Sequence, residues 1–435
     1  MMKKLLLISA FICAASSLAV GQCTPAWSES LTAAFAQGTA PTLPAAGGTF
    51  CDPVFGTEIL RVTDASTQSG VNFRTAYSYW STFNSNNTRL LALNSTTAGA
   101  RIFTFDPNGF SISGSFEAPS GVTSYETKAV WSRTNPNLMY GVEGLSIRVL
   151  DVTAGTPAWS TIATYTAGEL GITGAAQFQQ IHISDDDNTL SAHVQNSGYS
   201  TIGIAAVRIN ASKEVYYAET TSTVDEVQID KSGRWLIHKT GVQGSGLVEV
   251  RVIDTTTDTV EQLIDDSPDQ APGHSDNGNG IICGHANYLD AYTCRSLSSP
   301  HSYTTIIQDG TYSWLQSQHF SLLLNNENWL LVSQFGGVST ARFNNEIYFI
   351  QTQASGGVRR FVKHYSNDTD YASLPKANVS KDGKFVAYSS TYNPSGGRID
   401  LFIAKVPSGM GIWTDTATCT VRYFGGLPSN QCGID

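Results

Sequence analysis

Histidine is the side chain best suited to acid–base chemistry near neutral pH, and this chain of 435 residues has eight of them. Six of them map to the upper half of one sector of the chain's repeats: His182, His193, His238, His274, His285 and His319, the last flanked by Gln316 and Gln318. Asp225 and Glu226 sit in the middle of that sector. Neutral imidazoles serve as general bases or metal ligands, and a carboxylate completes either arrangement. The plainer alternative is a set of buried histidines that only satisfy their own hydrogen bonds. No compact ligand motif such as H-x-H occurs, so a divalent metal has no motif to hold it and the cofactor stays unassigned.

Two further clusters carry chemistry. The stretch NFRTAYSYW holds Arg74, Tyr77, Tyr79 and Trp80, a guanidinium among rings that suits sugar stacking and carboxylate pairing. The stretch RRFVKHYSNDTDYASLPKAN holds Arg359, Arg360, His364, Tyr365, Tyr371 and Lys376, the most basic segment of an acidic chain. It reads as an anion-contacting loop or, more plainly, as a solvated connector. Phosphate-binding and nucleophile-elbow motifs are absent in usable form, and DNGNG near Asp276 is too short for an EF-hand calcium loop.

These residues need elements to position them, and the composition points to strands. Hydrophobic residues make up 41% and charged residues 14%, with 39 glycines and almost no helical periodicity, which is an all-β profile. The net charge of −10 argues against nucleic acid and anionic membrane surfaces as partners. Residues 1–21 read as a signal peptide, with Lys3 and Lys4 ahead of an apolar run and small residues at Ala19-Val20-Gly21. The expected location is therefore secreted, periplasmic or cell-surface. No other stretch approaches a membrane span. Outside the signal, six cysteines remain: Cys23, Cys51, Cys283, Cys294, Cys419 and Cys432. An even count in an exported chain favours disulfides. Cys283 and Cys294 are placed to face each other across a hairpin, and the pairing of the other four stays open.

A motif of short strand, tight turn and apolar strand recurs seven times. The copies are STFNSNNTRLLALN from Ser81, VWSRTNPNLMYGVE from Val130, IHISDDDNTLSAHV from Ile181, VQIDKSGRWLIHKT from Val227, GHSDNGNGIICGHA from Gly273, SLLLNNENWLLVSQ from Ser321 and NVSKDGKFVAYSST from Asn378. Their turns are rich in Asp, Asn, Ser and Gly, which tolerate left-handed backbone. Further strand-like runs follow each copy. Seven such units predict a seven-bladed β-propeller of four-stranded blades over residues 58–408. Residues 22–57 form an N-terminal extension and 409–435 a cysteine-containing C-terminal one. The run GTEILRVTD, Gly56 to Asp64, has no blade of its own and is expected to close the ring on the last blade, with Cys51 beside it.

The repeats resemble those of the TolB periplasmic family, whose turn is Ser-Pro-Asp-Gly-like, and the last repeat is similar to that of oligogalacturonate lyases. The resemblance implies the fold, and a site on the face where inner strands begin. In the lyases a Gln and two His before the equivalent turn hold a divalent metal; here the matching positions are Tyr371, Leu374 and Lys376, so the triad is absent. Other propeller lyases use His, Tyr and Arg without it. Such an enzyme needs a base for the proton beside a uronate carboxylate and a positive group for the resulting anion. On this reading His319 or His285 is the base and Tyr365 and Arg359 assist. Arg74, Tyr77, Trp80, His193, His238, Gln316, Gln318, His364 and Lys376 bind the substrate. The expected partner is a polysaccharide or a surface protein, and the rival function is a non-catalytic scaffold.

Overall fold

The computed structural model describes residues 23–241, 248–263, 273–286, 289, 291–308, 317–336, 341–354, 356–368, 370–393 and 395–413, with short strands at Arg422–Phe424 and Leu427–Ser429. Gln316, the signal segment, Cys419 and Cys432 lie outside these residues.

Seven blades form a propeller, each an antiparallel sheet running from an inner strand to an outer one. The inner strands are Phe73–Arg74, Ala129–Trp131, Gln177–Ile183, Glu226–Ile229, Ser275–Asn277, Ser317–Ser321 and Asn378–Val379. We call the face where they begin the upper face. The second strands are buried from end to end, as in Ile281–Ala286 and Trp329–Phe335, because neighbouring blades cover both sides of each sheet. Outer strands such as Ser111–Glu117 face water and carry polar residues.

The recurring turn has a local cause. Its first residue is a side-chain acceptor that binds a backbone N–H across the turn: Asn84 Oδ1 accepts from Arg89 N at 2.9 Å, Ser184 Oγ from Thr189 N at 2.9 Å, Asp230 Oδ1 from Trp235 N at 2.9 Å, and Ser380 Oγ from Phe385 N at 3.0 Å. A later residue turns left-handed, with φ of 61° at Asn87, 57° at Asp187, 76° at Gly233 and 75° at Gly383.

The ring closes as the sequence predicts. Glu58–Arg61 is the fourth strand of blade seven, with Ile59 opposite Ala404 and Arg61 opposite Phe402. A fifth strand, Thr49–Cys51, adds to its outer side. Cys51 bonds to Cys23, and Cys283 bonds to Cys294. The extension then crosses to blade six. Ser28 and Arg360 exchange two backbone hydrogen bonds of 3.0 Å, and Arg360 lies between the rings of Phe35 and Phe343 while gripping Glu346 with two nitrogens. Among the described residues no helix is long and apolar enough to cross a membrane.

Candidate functional site

Blade one departs from its siblings. Its inner strand stops at Arg74, and the chain makes a turn in which Trp80 N donates to the Tyr77 carbonyl at 2.9 Å. This carries three rings across the channel. Tyr77 meets His319 of blade six at 4.8 Å. Tyr79 hydrogen-bonds to Glu226 of blade four. Trp80 Nε1 donates to the Ile181 carbonyl of blade three at 2.9 Å, and His182 lies 4.9 Å from Tyr79 and 5.4 Å from Trp80. The rings floor the channel, so the upper mouth is a cup rather than a pore.

The cup has a volume of about 590 Å³ and is lined by Tyr77, Tyr79, Trp80, Glu126, Thr127, Gln180, Asp225, Glu226, Lys239, Gly273, His274 and Tyr371. Gln180 reaches it through a bulge in the inner strand of blade three, at φ 49°. Two ion pairs stand in its walls. Arg74 grips Glu126 through two 2.7 Å bonds, and Lys239 donates to Glu226 at 2.5 Å. Burial pushes the Glu226 carboxyl up, but Lys239 and the Tyr79 hydroxyl more than offset this and hold it below its usual value. Asp225 moves the other way, raised by burial and by the neighbouring Glu226 charge.

The histidines separate into two kinds. His193, His238 and His319 are buried, and burial depresses His193 to about 4 and His319 well below 6.5. His182 falls to about 3 for the same reason. His274 is exposed to the cup. One of its ring nitrogens donates to the carbonyl of Gln318, which leaves the other as an acceptor in the neutral ring. Enclosure and the nearby Lys239 hold its pKa below 6.5. His319 packs 5.2 Å from it, and His285 N donates to its carbonyl at 3.0 Å. The structure therefore gathers His319, His285 and Gln318 around His274, an imidazole the sequence groups with them without singling it out.

Lys376 lies at the blade-seven side of the mouth, fully buried, with its Nζ 3.6 Å from the centre of the Tyr371 ring and no hydrogen-bond partner among the described residues. Burial, helped by Arg74, lowers its pKa to about 7. Tyr371 is 52% exposed. Burial and Glu126 push its phenol up to about 12. The positions matched to the lyase metal triad thus hold a phenol, an alkyl chain and an amine engaged on the phenol's ring, a set that does not fit a divalent ion. Among the described residues no group of three or more His, Cys, Asp or Glu is placed to hold a metal.

Three other residues singled out in the sequence stand elsewhere. Arg359 lies on the outer strand of blade six, paired with Glu29 at 3.1 Å. Tyr365 donates to the Gln37 carbonyl at 2.6 Å and stacks on Tyr392. His364 is fully buried, its Nε2 on the Gln334 carbonyl at 2.9 Å and its Nδ1 accepting from Ser366 N. None of them lines the cup, so the structure does not unite them with His319 or His285. Glu126 has no sequence signal, being an isolated charge outside any motif, and Lys239, beside His238 at the end of the fourth repeat copy, could have been found only by pairing the strands of that copy, which set it opposite Glu226.

The lower end of the channel is closed. Arg133 of blade two reaches Asp185 at 2.7 Å and, across the ring, the Leu323 carbonyl of blade six at 2.8 Å. Lys231 of blade four donates to the Leu324 carbonyl at 2.7 Å and pairs with Glu327 at 2.9 Å. Lys381 of blade seven donates to the Arg133 carbonyl at 2.7 Å.

No protein-family model matches this chain, and no curated protein matches it in sequence. Its shape is similar to that of solved propellers. An oligogalacturonate lyase from Vibrio parahaemolyticus matches with 11% identity and a TM-score of 0.54, over 86% of this chain and 100% of that one. An oligogalacturonate lyase in complex with manganese matches with 10% identity and a TM-score of 0.58, over 85% and 99%. TolB from Acinetobacter baumannii matches with 10% identity and a TM-score of 0.35, over 67% and 63%. At such identities the likeness to the two lyases shows the propeller fold and nothing more.

Proposed function

We propose that this chain is an exported propeller that binds an extracellular polysaccharide in the upper cup and cleaves it by β-elimination, with His274 as the base. The observation that carries the reading is His274 itself: exposed to the cup, fixed by the Gln318 carbonyl, and neutral near pH 7 with one nitrogen left to accept a proton. Tyr77 and Tyr79 offer ring faces and edges to a sugar, and the two ion pairs offer polar contacts. His319 and His285 act as positioning residues for His274. Two disulfides support an oxidising compartment, and two similarly folded proteins are oligogalacturonate lyases.

The test is absorbance near 235 nm during incubation with polygalacturonate, alginate and a glucuronate-containing polysaccharide. His274→Gln should slow the rise about a hundredfold or more. A flat trace for folded wild-type protein across the panel would sink the lyase reading. The burial of His193, His238 and His319 favours a second reading, a non-catalytic surface or scaffold protein. A flat trace together with no binding on a glycan array would support it.

A further inference from the structure

We propose that the Lys376 amine is a carboxylate subsite of the cup, covered by Tyr371 until an acidic sugar displaces the ring. This rests on the saccharide reading above and specifies the class of sugar.

The argument begins with a group that lacks a partner. Lys376 is fully buried and its Nζ makes no hydrogen bond among the described residues. An amine withdrawn from water in this way is destabilising unless an anion or an acceptor meets it. The Tyr371 face at 3.6 Å compensates in part, through its quadrupole, but supplies no acceptor lone pair. The covering ring belongs to a residue that is half in solvent, on a single 3-10 turn, Tyr371–Ser373, at the rim of the cup. Its rotation about the side-chain bonds uncovers Nζ without moving a strand. Arg74 stands on the same ring, 5.9 Å from its centre, so the space Tyr371 fills lies between two cations.

The surrounding charges set the orientation of a ligand. Glu126 already neutralises Arg74, Glu226 neutralises Lys239, and Asp225 is the remaining carboxyl of the blade-four wall. A sugar carboxylate therefore finds its one unpaired amine among the described residues at the Lys376 end. Burial holds the free amine near neutrality, so an arriving carboxylate draws a proton onto it. The positive charge that a lyase reaction requires is then held by the chain itself.

The experiment is calorimetric titration with an oligogalacturonide and with the same oligosaccharide after reduction of its carboxyls to alcohols. Wild type should prefer the acidic form by about tenfold or more. Lys376→Met should bind both forms alike, and Tyr371→Ala should keep the preference. Acetylation of Lys376 by acetic anhydride, followed by mass spectrometry, tests the cover without a sugar: it should be about tenfold faster in Tyr371→Ala than in wild type. Equal binding of both forms by wild type, or a preference that survives in Lys376→Met, would overturn the subsite while the saccharide reading stands. Failure of both forms to bind would overturn the subsite together with that reading for this sugar. Equal acetylation rates would overturn the cover.

Discussion

The two ends of the channel are built from the same parts and treat charge in opposite ways. Each is lined by residues next to inner strands, and each gathers lysine, arginine and carboxylates. At the lower end Arg133, Lys231 and Lys381 each end on a carbonyl or a carboxylate of another blade. At the upper end His319 Nδ1 and Lys376 Nζ are buried without hydrogen-bond partners among the described residues, and Asp225 is pushed towards its neutral form. The lower end acts as a closure that holds blades two, four, six and seven together. The upper end keeps buried polar groups that have no partner among the described residues, and the proposed saccharide site rests on them.

The contrast can be broken at the lower end first. Arg133→Ala removes the partner of Asp185, whose carboxyl burial would raise but which Arg133, Lys231 and Lys381 hold at about 2. Solvent still reaches 28% of the Asp185 side chain, so the expected loss is about 2–3 kcal/mol in denaturant unfolding, with saccharide binding unchanged. Because the folded pKa is depressed, the wild-type contribution is present above about pH 4 and disappears as pH falls towards 2.

At the upper end the sign reverses. Lys376 has a folded pKa lowered to about 7 by burial and Arg74, against raising contributions from Glu126 and Asp370; Tyr371 and His319 complete its surroundings. Between pH 7 and about 10 the unfolded chain binds the proton that the folded one has released, so stability contributed by this site rises with pH over that window. Thermal unfolding of ligand-free protein at pH 7, 8 and 9 should show that rise. Lys376→Met should remove it and raise the melting temperature at pH 7. A lower melting temperature in the variant would mean that the amine has a partner.

Smaller effects sharpen the contrast. Tyr77→Ala should weaken sugar binding roughly tenfold in calorimetry and leave unfolding by urea within about 1 kcal/mol of wild type. Glu126→Gln should cost about 1 kcal/mol of stability and shift the acidic-over-reduced preference a few-fold upwards, since it frees the Arg74 guanidinium.

The blades were legible in the sequence because their signal is local. An Asn, Ser or Asp that caps a turn and a Gly or Asn at its left-handed position act within six residues, and they recur. The closing strand was legible as a strand left without a blade. The cup was legible only in pieces. Tyr77 and Trp80 were singled out as a cluster, but that they cross the channel depends on distances between blades one, three and six that no short stretch encodes. Arg359 and Tyr365 were grouped with Lys376 because they are close in sequence. The stretch in fact runs from an outer strand, past the N-terminal extension, to an inner one, so neighbours along the chain end on different surfaces. Lys239 meets Glu226 directly across the hairpin of blade four, whereas Glu126 meets Arg74 only because the ring sets two blades side by side.

Blade seven carries a further consequence for how the molecule is made. Arg61 and Asp400, which meet through a 2.6 Å bond in that blade, are 339 positions apart. During synthesis the early strand has no partner until the late ones emerge, and a long loop must be closed to join them. An open array of repeats could gain or lose blades one at a time. Here an early strand completes the last-made blade, and residues 28–37 bind blade six only once that blade exists. Assembly is therefore gated by its final step, and loss of the clasp on either side leaves every preceding blade with an unclosed ring.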